Sequence, residues 1–313
     1  MGWKVRRKPI SKGKCAFCGQ VIAKSGMRTH FESCKARKNV AAILNKDAEA
    51  KPTSFFHLAI EGRDAPEYWM HLEIPADHTL ADLDEYLRDI WLECCGHLSQ
   101  FIIGSVSYMG QPDEAMFFEE DGEEFDPLTG ELPPDAPEEL KQMVESFRQF
   151  LNTIPEEMRN NLMDDIEEKD MDVPLSEVLK PGMKFTHEYD FGTTTELKLV
   201  VVSRYDGKIA KDDEDPIHVM ARNNPPELVC EVCGKPATLV CSECIWGGEG
   251  FVCNDHATEH NLDMLLPVVN SPRIGMCGYT GEAPEDWAFW VDDPSYYQDD
   301  EDDEFDDDEE DDT

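Results

Sequence analysis

The sequence predicts an α+β fold, a mixed sheet with packed helices, flanked by small zinc-stabilised modules. Three observations predict it. Residues 54–62 (SFFHLAIEG) and 67–75 (EYWMHLEIP) alternate apolar and polar side chains at the two-residue period of half-buried strands. Leu80, Leu83, Leu87, Ile90 and Trp91 recur at helical spacing. Cysteines and histidines cluster at both ends of the chain at the spacings of tetrahedral metal sites.

The densest of these clusters runs from Cys230 to His260. Two Cys-x-x-Cys pairs, Cys230/Cys233 and Cys241/Cys244, each form a knuckle that presents two thiolates, and Cys253, His256 and His260 follow. Seven ligands leave two tetrahedra one short, and Cys277 is the next cysteine downstream, preferred over Asp263. The module resembles the cross-braced B-box and MYND kinds. An interleaved pairing would join Cys230, Cys233, Cys253 and His256 in one site, and Cys241, Cys244, His260 and Cys277 in the other. A sequential pairing is the alternative. A second pattern, Cys15-x2-Cys18-x11-His30-x3-Cys34, resembles a Cys-Cys-His-Cys zinc finger, with Ser25 as helix cap and His30 and Cys34 on one helix face. Twelve ligands make three full tetrahedra, so three Zn2+ are expected. With every ligand claimed in fours and no position left for water, the sites read as structural. Cys94 and Cys95 remain over and read as buried small hydrophobes.

Charge divides the chain. Of a net −40, residues 1–38 carry eleven Lys and Arg against Glu32 alone, whereas residues 299–312 hold thirteen acids. An acidic body repels phosphate backbones, so any nucleic-acid contact falls to the basic end: Lys4, Arg6, Arg7, Lys8, Arg28, Lys35, Arg37 and Lys38. The acidic end cannot bury itself and is expected to be disordered, either solubilising the chain or competing with an external polyanion for the basic finger. No apolar run reaches the roughly 20 residues of a membrane helix. The first residues lack the apolar core of a secretory signal, so a reducing, cytoplasmic setting is expected, in which thiols bind metal instead of forming disulfides.

In order, the chain divides into a basic arm and finger (1–38), a linker (39–53), an α+β domain (54–222) with a helical insertion at 137–171, a double-zinc module (223–281) and a tail (282–313). Within the domain, 97–110 (HLSQFIIGSVSYMG) reads as a strand and 111–137 as an acidic, proline-punctuated loop. Residues 174–207 read as two strands hinged at Gly192. Trp69 leading into Glu73-Ile74-Pro75, the helix start Leu80-Ala81-Asp82-Leu83, then Trp91, His97, Leu98 and Phe101, and finally Glu188-Tyr189-Asp190-Phe191-Gly192 together carry a family likeness. On these residues the region 54–206 resembles the Ri-plasmid ORF-3-like family, whose members are also known as insertion-element passenger proteins. That resemblance implies an α+β fold without an established activity. Where many members continue with an acid, a tryptophan and a histidine, this chain has Thr193-Thr194-Thr195-Glu196-Leu197, so a site built on that Trp and His has no counterpart here.

No phosphate-binding loop, dinucleotide fingerprint, nucleophile elbow or His-Glu-x-x-His is present, and no catalytic residue is assigned. The reading is a zinc-binding, non-enzymatic interaction protein whose partner is either protein or nucleic acid, with no membrane contact and an open oligomeric state. The alternative is a hydrolase or nuclease using His97 and Asp190, with His187 and Glu188 nearby.

Overall fold

A computed structural model describes residues 11–110, 167–213 and 216–281. The basic arm before Ser11, the acidic loop, most of the helical insertion and the acidic tail therefore lie outside the described residues. The described part is α+β. Ten strands, β1 (Lys12–Cys15), β2 (Val21–Ala23), β3 (Lys51–Gly62), β4 (Trp69–Pro75), β5 (Ser99–Ile103), β6 (Val106–Met109), β7 (Glu167–Asp170), β8 (Lys184–Tyr189), β9 (Thr195–Ile209) and β10 (His218–Asn223), form one sheet. Its order is β2-β1-β10-β4-β3-β9-β8-β5-β6-β7, antiparallel throughout except for the parallel pair β6–β7, which makes the sheet mixed.

The alternation seen in the sequence decides which side of the sheet is core. Phe56, Leu58 and Ile60 of β3, Met70, Leu72 and Ile74 of β4, and Leu197, Leu199 and Val201 of β9 are all buried in one cluster. They share it with Leu80, Leu83 and Leu87 of helix α3 (Leu80–Leu87) and with Trp91 and Leu92 in the wide turn that follows. Thr79 starts the helix through a capping box: its hydroxyl accepts from the Asp82 amide at 3.1 Å, and the Asp82 carboxylate accepts from the Thr79 amide at 2.7 Å.

The opposite face is covered at one end by the finger, which is built into the sheet. β1 pairs with β10 through Gly13↔Asn223 to Cys15↔Ala221. A side chain at Gly13 would meet the Arg222 carbonyl at 2.3 Å and the Trp69 ring at 2.7 Å, so only glycine allows that approach. From α1 (Lys24–Ser33), Met27 and Phe31 pack with Trp69, Met220 and Ala221. The Phe31 ring meets the His57 and His71 rings edge-on at centroid distances of 5.4 and 5.3 Å. Helix α2 (Lys35–Lys46) then runs through the first half of the expected 39–53 linker.

The C-terminal module is joined as closely. Its sheet, β11 (Leu239–Cys241) between β12 (Phe251–Val252) and β13 (Leu265–Pro267), buries Val240 in the same cluster as α3, together with Val269, Ile274 and Tyr279. The short α4 (Leu175–Val178) contributes Leu175 to that cluster.

Three local expectations are corrected. Residues 97–110 form a hairpin and not one strand, because the Ile103↔Val106 pair closes a two-residue turn in which Gly104 takes φ +67°. Glu167–Asp170, expected at the end of a helix, is an exposed strand alongside β6. Ser25 does not cap α1: the helix starts at Lys24 after Ala23, with no side-chain cap, and Cys34 lies just past its end. Among the described residues, no helix is long and apolar enough to cross a membrane.

The buried histidine pair gives the finger contact a pH dependence. His57 Nε2 and His71 Nδ1 are 2.8 Å apart, one donating and one accepting, which suits two neutral rings. Burial pushes His57 down to about 3 and His71 well below its ordinary 6.5, with Arg37 and Arg28 acting on the first in the same direction. The unfolded chain binds these protons more readily. The contribution to stability is therefore complete above pH 6.5 and is lost as pH falls towards 3. Each ring should cost up to about 1.4 kcal/mol per pH unit in that window. Denaturant titrations across it should show a shallower acid slope for His57→Gln/His71→Gln than for the native chain, and equal slopes would contradict the assignment.

Candidate metal centres

Two of the three Cys-x-x-Cys knuckles are shaped by a glycine that follows the second cysteine. In the finger, the Gly19 amide donates to the Cys15 carbonyl at 2.9 Å with φ +69°. In the C-terminal module, Gly234 repeats this with Cys230 at 2.8 Å and φ +71°. Turning the chain this tightly places both thiols on one side. β1 supplies Cys15, α1 supplies His30, and Cys34 lies between α1 and α2. The four ligand atoms of Cys15, Cys18, His30 and Cys34 all lie within 4.8 Å of one another.

The C-terminal module is interleaved. Cys230, Cys233, Cys253 and His256 gather as one set, and Cys241, Cys244 and His260 as another. Gly250 permits the second, since a side chain there would meet Cys244 Cβ at 2.9 Å and the Cys241 carbonyl at 3.1 Å. A tetrahedral zinc with bonds of about 2.3 Å to sulfur and 2.0–2.1 Å to nitrogen spaces its ligands about 3.7 Å (S to S) and 3.6 Å (S to N) apart. Cys233 and Cys253 sulfurs are 3.7 Å apart, and the Cys18–His30, Cys230–His256 and Cys244–His260 pairs lie at 3.3, 3.5 and 3.4 Å. The donor sets therefore fit zinc in composition and in spacing. Electrostatics agree: burial, followed by the charges of Cys18 and Cys34, pushes the Cys15 thiol up to about 12 despite backbone amides that favour its ionised form. Ionising the Cys15 thiol in these surroundings would take a cation beside it.

Cys277 departs from the pairing expected of it. It does not join Cys241, Cys244 and His260; its sulfur lies 3.7 Å from Cys95 and 3.5 Å from His97 Nε2. Cys94 is half-buried and Cys95 exposed, so the reading of both as buried small hydrophobes is also corrected. Sixteen residues separate His260 from Cys277, and the chain uses them to cross to the sheet domain. The compact Cys94-Cys95-x-His97 spacing was the available signal in the sequence.

Of the suspected acid–base group, His97 and Asp190 come together at 3.5 Å and the others do not. His187 is fully buried and bonds Asp84 at 2.6 Å, while Glu188 accepts from Gln100 at 2.7 Å. Asp190 is occupied. Burial raises its pKa, but the Thr193 hydroxyl, the Arg273 guanidinium at 2.7 Å and two backbone amides outweigh that and hold the carboxyl well below its usual range.

Among the basic residues, Arg28, Lys35 and Lys38 are exposed, and Arg37 lies over the Phe17, Phe31 and Tyr205 rings at 6.0, 6.0 and 5.2 Å. Lys4, Arg6, Arg7 and Lys8 lie outside the described residues.

Residues 55–240 match the family described as plasmid pRiA4b ORF-3-like protein. Among solved structures, a protein of unknown function, MM3350 from Methanosarcina mazei Go1, is similar at 12% identity and a TM-score of 0.32, over 54% of this chain and 69% of that one. No curated protein matches the sequence.

Structural zinc contributes on the order of 10 kcal/mol to folding small modules. Chelation should therefore abolish hydrogen-exchange protection across residues 13–36 and 228–270 and leave β3, β4, β8 and β9 protected. Uniform loss across the whole sheet, or no loss in either module, would contradict the metal assignment.

Proposed function

The chain belongs to the plasmid pRiA4b ORF-3-like family, and from that premise we propose that it is a zinc-stabilised, non-enzymatic interaction protein that presents a basic surface to nucleic acid. One observation carries the reading. The finger grips the sheet with Met27 and Phe31 and leaves the opposite side of its helices, with Arg28, Lys35 and Lys38, to solvent. On a chain of net charge −40, a surface of that sign is a local exception.

The basic surface continues into a groove of about 950 Å³ between α1 and the uncovered part of the sheet. Lys24, Arg28, Arg63, Lys184 and Lys198 line it against Glu61 and Glu196. Lys24 pairs with Glu61 and Arg63 with Glu196, so three cations remain without an acidic partner among the described residues. Spaced cations beside a groove suit a phosphate backbone better than a small apolar ligand.

The metal sets support a structural role. The finger and the Cys230 set each supply four ligands, which closes the coordination shell to water. A hydrolase at His97 and Asp190 would need a free base, whereas Asp190 is occupied by four donors and His97 lies among thiols. Among the described residues the Cys241 set supplies three ligands, so a zinc held there would take its fourth ligand from outside the set.

Anisotropy titrations with labelled single- and double-stranded oligonucleotides at low salt test the proposal. Removing three phosphate contacts in Arg28→Ala/Lys35→Ala/Lys38→Ala should lower the slope of log affinity against log salt by about 2 to 3. Absence of binding by the native chain, or an unchanged slope in the variant, would overturn the nucleic-acid reading.

A further inference from the structure

Among the described residues, one further group of soft ligands gathers at the surface, apart from the finger set and from the Cys230 and Cys241 sets. Cys94, Cys95, His97 and Cys277 place three sulfurs and one imidazole nitrogen within 4.8 Å of one another. We propose that these four residues form a separate zinc site, which ties the C-terminal segment to the sheet domain.

The spacings are those of a tetrahedron. Cys94 to Cys95 and Cys95 to Cys277 are each 3.7 Å between sulfurs, and Cys277 to His97 Nε2 is 3.5 Å, while Cys95 to His97 is shorter at 3.0 Å. The 3.7 and 3.5 Å spacings recur in the Cys230 set, and the Cys18–His30 pair of the finger lies at 3.3 Å. A disulfide needs sulfurs about 2.05 Å apart and can join only two of the three thiols. Three thiolates with one imidazole favour a soft or borderline cation, Zn2+ foremost, over Mg2+ or Ca2+.

Both halves of the site are held by contacts independent of a metal. Gly96, at φ +76°, reverses the chain so that neighbouring cysteines and His97 face one point. The Glu93 carboxylate holds this loop, accepting from the Gly96 amide at 2.6 Å and the Tyr189 hydroxyl at 2.9 Å, and pairing with Arg88 at 2.5 Å. On the other side, Cys277 adopts φ +50°, a left-handed conformation uncommon for a side chain other than glycine. The turn around it is fixed by the Met276 amide donating to Arg273 and the Tyr279 amide donating to Met276, at 3.1 and 3.0 Å. Arg273 completes an outer layer, donating from a fully buried position to Cys94 Sγ at 3.3 Å and to Asp190 at 2.7 Å. Metal ligands are commonly oriented by such charged outer partners. Cys95 and Cys277 are 182 residues apart, so one ion here closes a very long loop.

Zinc measured per chain in the full-length protein, purified without chelator, tests the site. Cys95→Ser should lose one equivalent, Cys277→Ser one, and the double variant still only one, since both remove the same ion. Full zinc retention in Cys95→Ser, loss of two equivalents in the double variant, or a Cys95–Cys277 disulfide in the isolated native chain would each overturn the proposal. If a serine variant fails to fold, Cys95→His keeps a ligand in place and should retain the metal. Loss of that equivalent in a folded Cys95→His chain counts against the site.

Discussion

A buried cation, Arg273, holds the two halves of the molecule in one arrangement. Its side chain has no exposed surface, and a guanidinium in such a place must find its charge and its hydrogen bonds inside the protein. Its two terminal nitrogens find them on the sheet domain, at the Asp190 carboxylate, the Thr193 carbonyl, the Thr195 hydroxyl and the Cys94 thiol, while Nε has no hydrogen-bond partner among the described residues. Removing one partner of such a pair typically costs about 3–5 kcal/mol, because the other charge is left buried alone. The left-handed backbone of Asp190, the turn through Gly192 and Thr193 and the thiol-bearing loop at 94–97 are all arranged around it. Ser271, two residues away, adds a 2.6 Å bond to the Trp91 carbonyl beneath the helix. The C-terminal segment thus contributes directly to the core.

The finger is joined to the opposite face by the same logic with apolar groups. Trp69 and the neutral His57–His71 pair form a surface that Phe31 and Met27 cover, while β1 extends the hydrogen-bonded ladder. A small Cys/His module has too little apolar area to stabilise itself, so a bound metal and the docking surface would each supply part of what the other lacks. Because one side of α1 is committed to packing, its cations are concentrated on the side that faces solvent and the groove.

Much of this was legible in the sequence. Period-two alternation marked β3 and β4, the Leu80–Leu83–Leu87 stripe marked α3, and ligand spacing marked the finger and the ligands from Cys230 to His260 but not how they pair, because each depends on residues near one another in the chain. Long-range pairing was not legible. Nothing local to Cys277 distinguishes a partner 17 residues back from one 182 residues back; that choice is made by the path of residues 261–276. The hairpin at Gly104 was hidden because both its arms are apolar, and the adjacent Cys94 and Cys95 suited a buried helix end until the Gly96 reversal turned them outward. Arg273 gave no signal at all, since its role comes from partners about 80 and 180 residues away.

The central claim is that Cys/His sets held by the sheet bind zinc largely through sulfur. X-ray absorption at the zinc edge of the full-length chain measures that shell directly. The four sets together supply eleven sulfurs and four nitrogens, so the spectrum should fit about three sulfurs near 2.3 Å and one nitrogen near 2.0 Å per zinc. A shell dominated by oxygen and nitrogen, or a chain that carries no zinc as isolated, would contradict the account.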